Sequence, residues 1–332
     1  MKTLIASLTL LMALTAYSIA QGEKTNDSAA IDAASTLGQK YMGNAHVYKK
    51  ADGQELKLYV MTPPDWKATD KRPAAVFYHG GGWIGGQPTQ FNYQGHHLTT
   101  RGMVVVQVQY RLVNKKGEVP LNACLDARSS MRWVRSHAAE LGIDPDRIAA
   151  GGGSAGGHLA SYLGMVDGKD DPQDDLSISP KPNALLLFNP ALLHGQERPD
   201  APAEGRSAFE PISPWKNVSR DDPPGLILVG SEDGLLLPAK VKEFQNMCQA
   251  AGVRMDATIY PGEGHGFFGI GRSRDRFYDT VRETEKFLAS LGWITGEPTL
   301  THEQVTEYAR MYKQANGVKE KKPKKKKQRK FC

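Results

Sequence analysis

A glycine-rich stretch, "AAGGGSAGGHLA", contains the residues that are best suited to chemistry in this chain. Gly152, Ser154 and Gly156 fit the G-x-S-x-G spacing of a nucleophile elbow, a sharp strand-to-helix turn that exposes a serine hydroxyl. Gly151, Gly153 and Gly156 also fit the G-x-G-x-x-G spacing of a dinucleotide-binding loop. Both motifs need a strand before them and a helix after them, so the spacing alone leaves both open.

The place of the motif along the chain weighs against nucleotide binding. A dinucleotide fingerprint lies in the first strand-to-helix turn of its domain, whereas about five predicted strands precede this one. Asp171, the acidic residue about 20 positions further on, lies in the polar run "DGKDDPQDD" with no strand before it. That run also lacks the ligand spacing of a calcium loop. We therefore expect no nucleotide, no other cofactor and no metal ion.

Three further segments favour a hydrolase. The segment "HGGGW" (79–83) follows an apolar strand pattern, and its glycines let backbone N–H groups approach a developing oxyanion. Asp233 follows another apolar run, and His265 lies in the glycine-rich segment "GEGHGF". The chain order Ser154, Asp233, His265 is that of an α/β-hydrolase catalytic triad.

Each of these signals also has an ordinary structural explanation. A G-x-S-x-G pattern occurs by chance, Asp233 fits the N-cap of a helix, and His265 fits a loop histidine on a glycine turn. Together, in the right order and each after a predicted strand, they predict a triad. In it Ser154 is the nucleophile, His265 removes its proton, and Asp233 orients the imidazole.

Strand and helix patterns alternate along the chain and would position these residues. A hairpin is predicted around Asp52-Gly53. The other predicted strands are 73–79, 103–110, 147–152, 183–189, 225–231 and 254–260. The predicted helices are 90–101, 122–141, 158–163, 238–251 and 274–291. Repeated β-α-β units predict a mostly parallel sheet that is covered by helices on both faces.

The segments "HGGGW", "GGSAGGHLA", "DPPGLILVGSEDGLL" and "GEGHGF" resemble those of a known family. They are similar to the α/β-hydrolase fold carboxylesterases of the hormone-sensitive-lipase-like branch, and above all to small bacterial acetyl or feruloyl esterases. The resemblance covers residues 45–291. It implies the α/β-hydrolase fold, and an oxyanion hole formed by the backbone N–H groups of Gly81, Gly82 and Ala155. Gly153 departs from the family pattern, which often has an acidic residue before the nucleophile.

We expect structural rather than catalytic roles for the other polar residues near these motifs. Glu232 should point away from the site, and Glu263 is too close in sequence to the histidine to be its usual partner. His158 is expected to pack within the helix that follows the elbow. Arg111 and Asp126 are expected to form a structural ion pair.

The N-terminal 20 residues have the pattern of a secretory signal peptide. One lysine is followed by the apolar run 4–16 and by small residues before position 20. A membrane anchor is the alternative, but the apolar run is shorter than the roughly 20 residues that span a bilayer. We expect signal cleavage, no transmembrane segment afterwards, and a periplasmic or secreted protein. Cys124, Cys248 and Cys332 form no even disulfide framework and are compatible with that location.

The net charge of +6 comes from the C-terminal tail. Residues 319–330 carry nine Lys or Arg and one Glu, a net charge of +8, so the rest of the chain carries −2. This distribution excludes a basic nucleic-acid-binding domain. The tail 319–332 is predicted to be disordered and to bind an anionic surface or polysaccharide. A merely solubilising appendage is the alternative.

The predicted organisation is a signal peptide (1–20), an N-terminal segment (21–44), a catalytic domain (45–295), a C-terminal extension (296–318) and the basic tail.

The predicted function is serine carboxylic-ester hydrolysis through an acyl-enzyme. Short-acyl or aromatic esters are the expected substrates, including small molecules and acyl groups of polysaccharides. The segment 191–222 contains Phe209 and Trp215 and fits either a small lid or an ordinary crossover. The open alternatives are a serine peptidase of the same fold and a binding protein without activity.

Overall fold

The computed structural model of the chain describes residues 43–192 and 208–318. The predicted signal peptide, most of the N-terminal segment, the middle of the 191–222 segment and the Lys-rich tail lie outside these residues. The chain divides into two units. The first, Tyr41–Ala309, contains every strand of the described part. The second combines Met1–Lys40 with Arg310–Cys332, and its described part includes the end of the last helix.

Among the described residues, eight strands form one sheet in the order β1-β2-β4-β3-β5-β6-β7-β8. They are β1 (Asn44–Ala51), β2 (Gln54–Met61), β3 (Arg72–Tyr78), β4 (Val104–Val108), β5 (Ile143–Gly153), β6 (Ala184–Phe188), β7 (Gly225–Gly230) and β8 (Met255–Tyr260). Strands β1 and β2 form the predicted antiparallel hairpin, and β2 pairs antiparallel with β4. All the other neighbours pair in parallel.

Helices cover both faces of this sheet. They are α1 (Asn92–Thr100), α2 (Leu121–Ser136), α3 (Ala155–Met165), α4 (Pro238–Ala250) and α5 (Arg274–Ser290). A further helix, α6 (His302–Ala315), follows them in the chain. One core cluster includes Val134 of α2, Leu159 of α3 and Phe244 of α4. The other includes Leu98 of α1 and Leu288 of α5. The predicted mostly parallel sheet with helices on both faces is therefore confirmed.

Helix α2 is shorter than the sequence predicts. It ends at Ser136, whereas the apolar pattern predicts a helix through Leu141. Gly142 has a φ of +62° and reverses the chain, and Ile143 N donates to Ala138 O at 2.8 Å as β5 begins. Ala138 and Leu141 are buried in the turns after Ser136, and their apolar character gave the appearance of a longer helix.

Helix α6 lies in the predicted C-terminal extension (296–318), for which the sequence analysis predicted no helix. Its start is a capping box: Gln304 N donates to Thr301 Oγ1 at 3.2 Å, and Thr301 N donates to Gln304 Oε1 at 2.9 Å. Val305 and Ala309 are buried on its inner face. The T-x-x-Q pattern at this position was therefore an available signal.

The predicted structural ion pair is confirmed, and two of the three cysteines are buried. Arg111 Nη2 lies 2.7 Å from the completely buried carboxylate of Asp126, which also accepts a bond from Lys49 at 3.0 Å. Cys124 and Cys248 are buried free thiols, and burial raises the pKa of Cys248 to about 12. Within residues 43–192 and 208–318, no helix is both long and apolar enough to cross a membrane.

Candidate active site

Loops that leave the carboxyl ends of five parallel strands meet at one edge of the sheet. They follow β3, β5, β6, β7 and β8. Neighbouring parallel strands present their carboxyl ends on the same side, where ligand crevices of open α/β sheets lie. The loops carry, in this order, His79, Ser154, Asn189, Asp233 and His265.

Ser154 occupies a strained turn between β5 and α3. Its φ of +53° and ψ of −115° lie outside the regions that ordinary residues prefer. A Cβ at Gly152 would collide with the backbone of Gly156, and a Cβ at Gly156 would collide with the Tyr78 carbonyl oxygen. Only glycine fits at both positions. The glycine pattern therefore serves the close packing of a nucleophile elbow.

Backbone hydrogen bonds hold the elbow from both sides. Ser154 N donates to Phe188 O at 3.0 Å, and Ser154 O accepts from Ala191 N and His158 N, each at 3.0 Å. The elbow is thereby tied to the end of β6 as well as to its own helix. The serine hydroxyl is held in one place on the half-exposed surface of the turn.

Ser154, His265 and Asp233 form a continuous hydrogen-bonded chain. His265 Nδ1 lies 2.8 Å from Asp233 Oδ2, and His265 Nε2 lies 2.8 Å from Ser154 Oγ. The ionised carboxylate can only accept, so Nδ1 carries the hydrogen of a neutral ring and Nε2 accepts the serine O–H. The structure thus brings together all three predicted residues, in the arrangement by which a histidine removes a proton from a serine.

Asp233 is completely buried, yet its carboxylate has all the partners that it needs. Oδ1 accepts from Leu235 N at 2.8 Å and from Leu236 N at 3.3 Å, while Oδ2 receives the histidine. Hydrogen bonds of this kind offset the cost of burying a charge. Glu263, one of the two rejected alternatives, instead pairs with Arg276 of α5 at 2.8 Å.

The loop that carries His265 is anchored in the core by the two residues that follow its glycine turn. Phe267 and Phe268 are buried, and the Phe268 ring stacks on Phe91 with the ring centroids 5.4 Å apart. A Cβ at Gly153 would lie 2.6 Å from Phe268 Cζ. Gly153, which stands where the family often has an acidic residue, therefore makes room for the aromatic support of the histidine loop.

The glycine loop after β3 turns its backbone by a series of left-handed residues. Gly81 has a φ of +122°, and a Cβ there would collide with the Gly85 carbonyl oxygen. Gly80 N is already engaged, since it donates to Gln90 Oε1 at 2.7 Å. Among the described residues, the N–H groups of Gly81 and Gly82 have no hydrogen-bond acceptor. They are therefore available to a ligand.

Ala155 supplies a third available donor in the same region. It is the first residue of α3, so its N–H has no acceptor within the helix. The positive end of the helix dipole also lies here and favours negative charge. The assignment of Gly81, Gly82 and Ala155 as an oxyanion hole stays a prediction.

Gly81→Ala should reduce kcat/KM by at least 100-fold, because the methyl group would displace the glycine loop and its N–H donors. Gly85→Ala is the matched control: a Cβ there meets nothing closer than 4.0 Å and the residue has no left-handed φ, so activity should stay within about twofold. Steady-state ester hydrolysis measures both. Equal losses in the two variants would contradict the role of Gly81.

His79 underlies the glycine loop and is buried and neutral. Its Nδ1 donates to Gly80 O at 2.8 Å, and its ring stacks on Tyr110 with the centroids 4.2 Å apart. Burial lowers the pKa of His79 to about 4. In the unfolded chain a histidine has a pKa of about 6.5, so the unfolded chain binds a proton at this imidazole more readily than the folded chain does.

As the pH falls from about 6.5 to about 4, the free energy of unfolding should accordingly decrease by up to about 3 kcal/mol on account of His79. His79→Asn should lessen this decrease, since asparagine keeps a donor for Gly80 O and does not titrate. The exposed His302→Asn serves as the control and should leave it unchanged. Urea unfolding at several pH values measures the effect, and parallel curves for wild type and His79→Asn would contradict it.

His158 is confirmed as a buried residue of the helix after the elbow. Its Nε2 lies 3.0 Å from Ile212 O, and its ring meets Trp83 edge-on. The described part of the 191–222 segment thus packs on α3. Phe209 and Trp215, the two aromatic residues of the predicted lid, are buried in the core. The lid itself stays a prediction.

Comparisons with known proteins agree with this geometry. The BD-FAE family profile matches residues 58–184, and the prolyl oligopeptidase family profile matches residues 183–292. A solved structure of a thermophilic esterase from Thermogutta terrifontis, Est2, is 38% identical and superposes with a TM-score of 0.72. The match covers 77% of this chain and 97% of that one. The chain belongs to the α/β-hydrolase fold serine esterases of the hormone-sensitive-lipase-like group.

Two relatives in Mycobacterium tuberculosis match less of the chain. Carboxylesterase NlhH is 39% identical over 114 residues, which are 34% of each chain. The probable carboxylic ester hydrolase LipM is 26% identical over 264 residues, 72% of this chain and 59% of LipM. The matched part of this chain therefore spans about a third of NlhH and about three fifths of LipM.

Two residues that support the active site of this esterase were not singled out in the sequence analysis. Gln90 holds the glycine loop through Gly80 N, and Asn189 contacts the loop of His265. Asn189 ends a strand at the same edge as the triad residues, which was an available signal. Nothing in the sequence around Gln90 predicts its contact with Gly80 N.

Proposed function

We propose that this chain hydrolyses carboxylic esters through an acyl-enzyme on Ser154. The observation that carries the proposal is the chain of two 2.8 Å contacts from Ser154 Oγ through His265 to the buried Asp233, set on a nucleophile elbow. Such a chain activates an otherwise weak hydroxyl nucleophile.

The proposed reaction has two halves. Ser154 Oγ attacks the ester carbonyl carbon while its proton passes to His265 Nε2. The tetrahedral intermediate then loses the alcohol, which takes that proton and leaves the acyl-enzyme. Water, deprotonated by the same nitrogen, attacks the acyl-enzyme and releases the acid and the free serine. The N–H groups of Gly81, Gly82 and Ala155 stabilise the oxyanion, and loss of one such donor costs about 3 kcal/mol.

Short acyl groups are the proposed preference. The related Thermogutta terrifontis esterase has been solved with propionate bound and with butyrate bound. The exposed apolar residue Ile84 belongs to the glycine loop, and the exposed Leu235 follows Asp233 by two residues and donates its N–H to that carboxylate. These side chains suit an apolar acyl or aromatic group.

A panel of p-nitrophenyl esters, methyl ferulate and acetylated xylan tests this preference. We expect the highest kcat/KM between the acetyl and butyryl esters, with a steep fall for longer chains. Release of acetate from xylan would support polysaccharide substrates. A maximum at long acyl chains would contradict the proposal.

A serine peptidase is the second candidate, since the prolyl oligopeptidase family profile matches the part of the chain that contains Asp233 and His265. The same triad cleaves either bond, so geometry at the serine does not separate them. A p-nitrophenyl ester and a p-nitroanilide with the same acyl group should differ by orders of magnitude in kcat/KM in favour of the ester. Dominant amide cleavage would establish the peptidase instead.

Export and surface binding are proposed from the sequence. The signal-like residues 1–20 support a periplasmic or secreted location, and the basic residues of 319–332 support contact with an anionic surface. Removal of residues 319–332 should leave turnover of a soluble ester unchanged and reduce retention on anionic vesicles at low salt. Equal retention of both proteins would overturn the tail proposal.

A further inference from the structure

Asn189, the residue after β6, faces the triad histidine although it belongs to no recognised motif. It is completely buried. Its Nδ2 lies 3.4 Å from His265 Nε2, and its Oδ1 accepts a hydrogen bond from Gly266 N at 3.1 Å. One side chain thus contacts both the reacting nitrogen and the backbone of the histidine loop.

The two neighbours fix which way the Asn189 amide points. Gly266 N–H can only donate, so it requires the amide oxygen. His265 Nε2 carries no hydrogen in the neutral ring, because Nδ1 holds the hydrogen that faces Asp233. The amide NH₂ therefore faces Nε2 at 3.4 Å and shares its lone pair with the serine O–H, which lies closer at 2.8 Å. This arrangement is complementary to the neutral, proton-accepting imidazole and opposes a protonated Nε2.

The backbone is strained to put the amide there. Asn189 has a φ of +37°, an uncommon value for a residue with a side chain. Its N–H donates to Leu228 O at 2.7 Å, and the following Pro190 packs closely against Gly157 of α3. Strain of this kind persists where the surrounding structure enforces it, and it concentrates at functional sites.

We propose that Asn189 is a positioning residue of the triad, which holds the plane of the His265 ring toward Ser154 and favours the ring with an unprotonated Nε2. The proposal rests on the proposed esterase function. In that reaction Nε2 takes the Ser154 proton and must pass it to the leaving alcohol. An N–H group that points at Nε2 destabilises the protonated ring, which favours proton return to the leaving alcohol and opposes proton uptake from Ser154. The loss of kcat expected on removal of the amide therefore comes from the lost orientation of the ring.

Among residues 43–192 and 208–318, the charged groups of the neighbouring loops do not contact this side of the ring. Asp233 contacts Nδ1, on the opposite edge of the imidazole. The same two loops carry Glu232, which is exposed, and Glu263, which pairs with Arg276. Within the described part of the chain, Asn189 and the nucleophile are the polar side chains with a contact to Nε2. Exchange of the Asn189 amide for a carboxylate therefore alters the field at this nitrogen.

Two variants of the full chain test the proposal. Asn189→Asp keeps the shape and an acceptor for Gly266 N but places a carboxylate at Nε2, which favours the protonated ring. Asn189→Gly removes the amide while glycine keeps the left-handed backbone. Asn92→Asp is the matched control, because Asn92 is also buried and its Oδ1 accepts from Gln107 Nε2 at 2.8 Å.

The readouts are kcat, KM and the pH profile of kcat/KM, together with NMR titration of the His265 ring in the absence of substrate. Asn189→Asp should move the acid limb and the ring titration up by about one pH unit or more. Asn189→Gly should lower kcat about 10- to 100-fold with little change in KM and a smaller upward shift. Asn92→Asp should keep the wild-type midpoints.

Wild-type kcat and midpoints in Asn189→Gly would overturn the proposal, and so would unshifted midpoints in a folded Asn189→Asp. If Asn189→Asp does not fold, Asn189→Gly decides by itself. A wild-type protein without esterase activity would instead overturn the proposed function. The ring titration would then still decide whether Asn189 favours the neutral imidazole.

Discussion

Ser154→Ala should lower kcat for ester hydrolysis by about 10⁶-fold, the size of loss seen when a triad nucleophile is removed. The hydroxyl is the atom that attacks, and no other nucleophile is hydrogen-bonded to His265 among the described residues. Residual turnover should come from the oxyanion donors alone. Because alanine meets the same strain at a φ of +53°, the free energy of unfolding should stay within about 1 kcal/mol of wild type.

Ser161→Ala is the matched control for this substitution. Ser161 lies in the same helix, is completely buried, and its Oγ donates only to Gly157 O at 2.8 Å. The activity of Ser161→Ala should remain close to that of wild type, and the substitution should lower only the free energy of unfolding. If Ser154→Ala retained more than a few per cent of wild-type kcat, Ser154 would not be the nucleophile.

His265→Ala should be nearly as severe, with a fall of about 10⁶-fold in kcat. The serine would lose its only proton acceptor in the described structure, and the leaving alcohol would lose its donor. Asp233→Asn should cost less, about 10⁴-fold, because the ring remains but its favoured tautomer is lost. Stopped assays with a p-nitrophenyl butyrate substrate cover this range.

His302→Ala, on the exposed start of α6, is the control for His265→Ala and should keep full activity. Circular dichroism shows whether each variant is folded. A folded variant that has lost activity has lost a catalytic group rather than its structure. A His265→Ala variant with more than about one per cent of wild-type kcat would point to another base.

Much of the site was predictable because each triad residue follows an apolar strand in a short glycine-rich loop. Ser154, Asp233 and His265 are separated by many residues in sequence, but parallel strands bring their carboxyl ends to one edge. Gly152 and Gly156 were predictable for the same reason, since the elbow requires close backbone contacts there. Local pattern and global fold agree at these positions.

The parts that were missed depend on contacts between distant segments. Asn189 reads as the end of a buried strand, and its importance comes from a contact with a residue 76 positions away. Helix α2 was extended too far because the turns after Ser136 are also apolar. At Asn189 packing in three dimensions decides the role of the residue, whereas at α2 the turn at Gly142 ends a pattern that residue periodicity would continue.

Labelling with paraoxon followed by peptide mass spectrometry tests the central proposal most directly. The related Thermogutta terrifontis esterase 2 has been solved in a form phosphorylated by paraoxon. For the full chain, we expect one diethylphosphoryl group, carried by the peptide that contains Ser154, with ester hydrolysis lost in proportion to labelling. Ser154→Ala should remain unlabelled. Labelling of another residue, or full labelling of Ser154→Ala, would contradict an acyl-enzyme on Ser154.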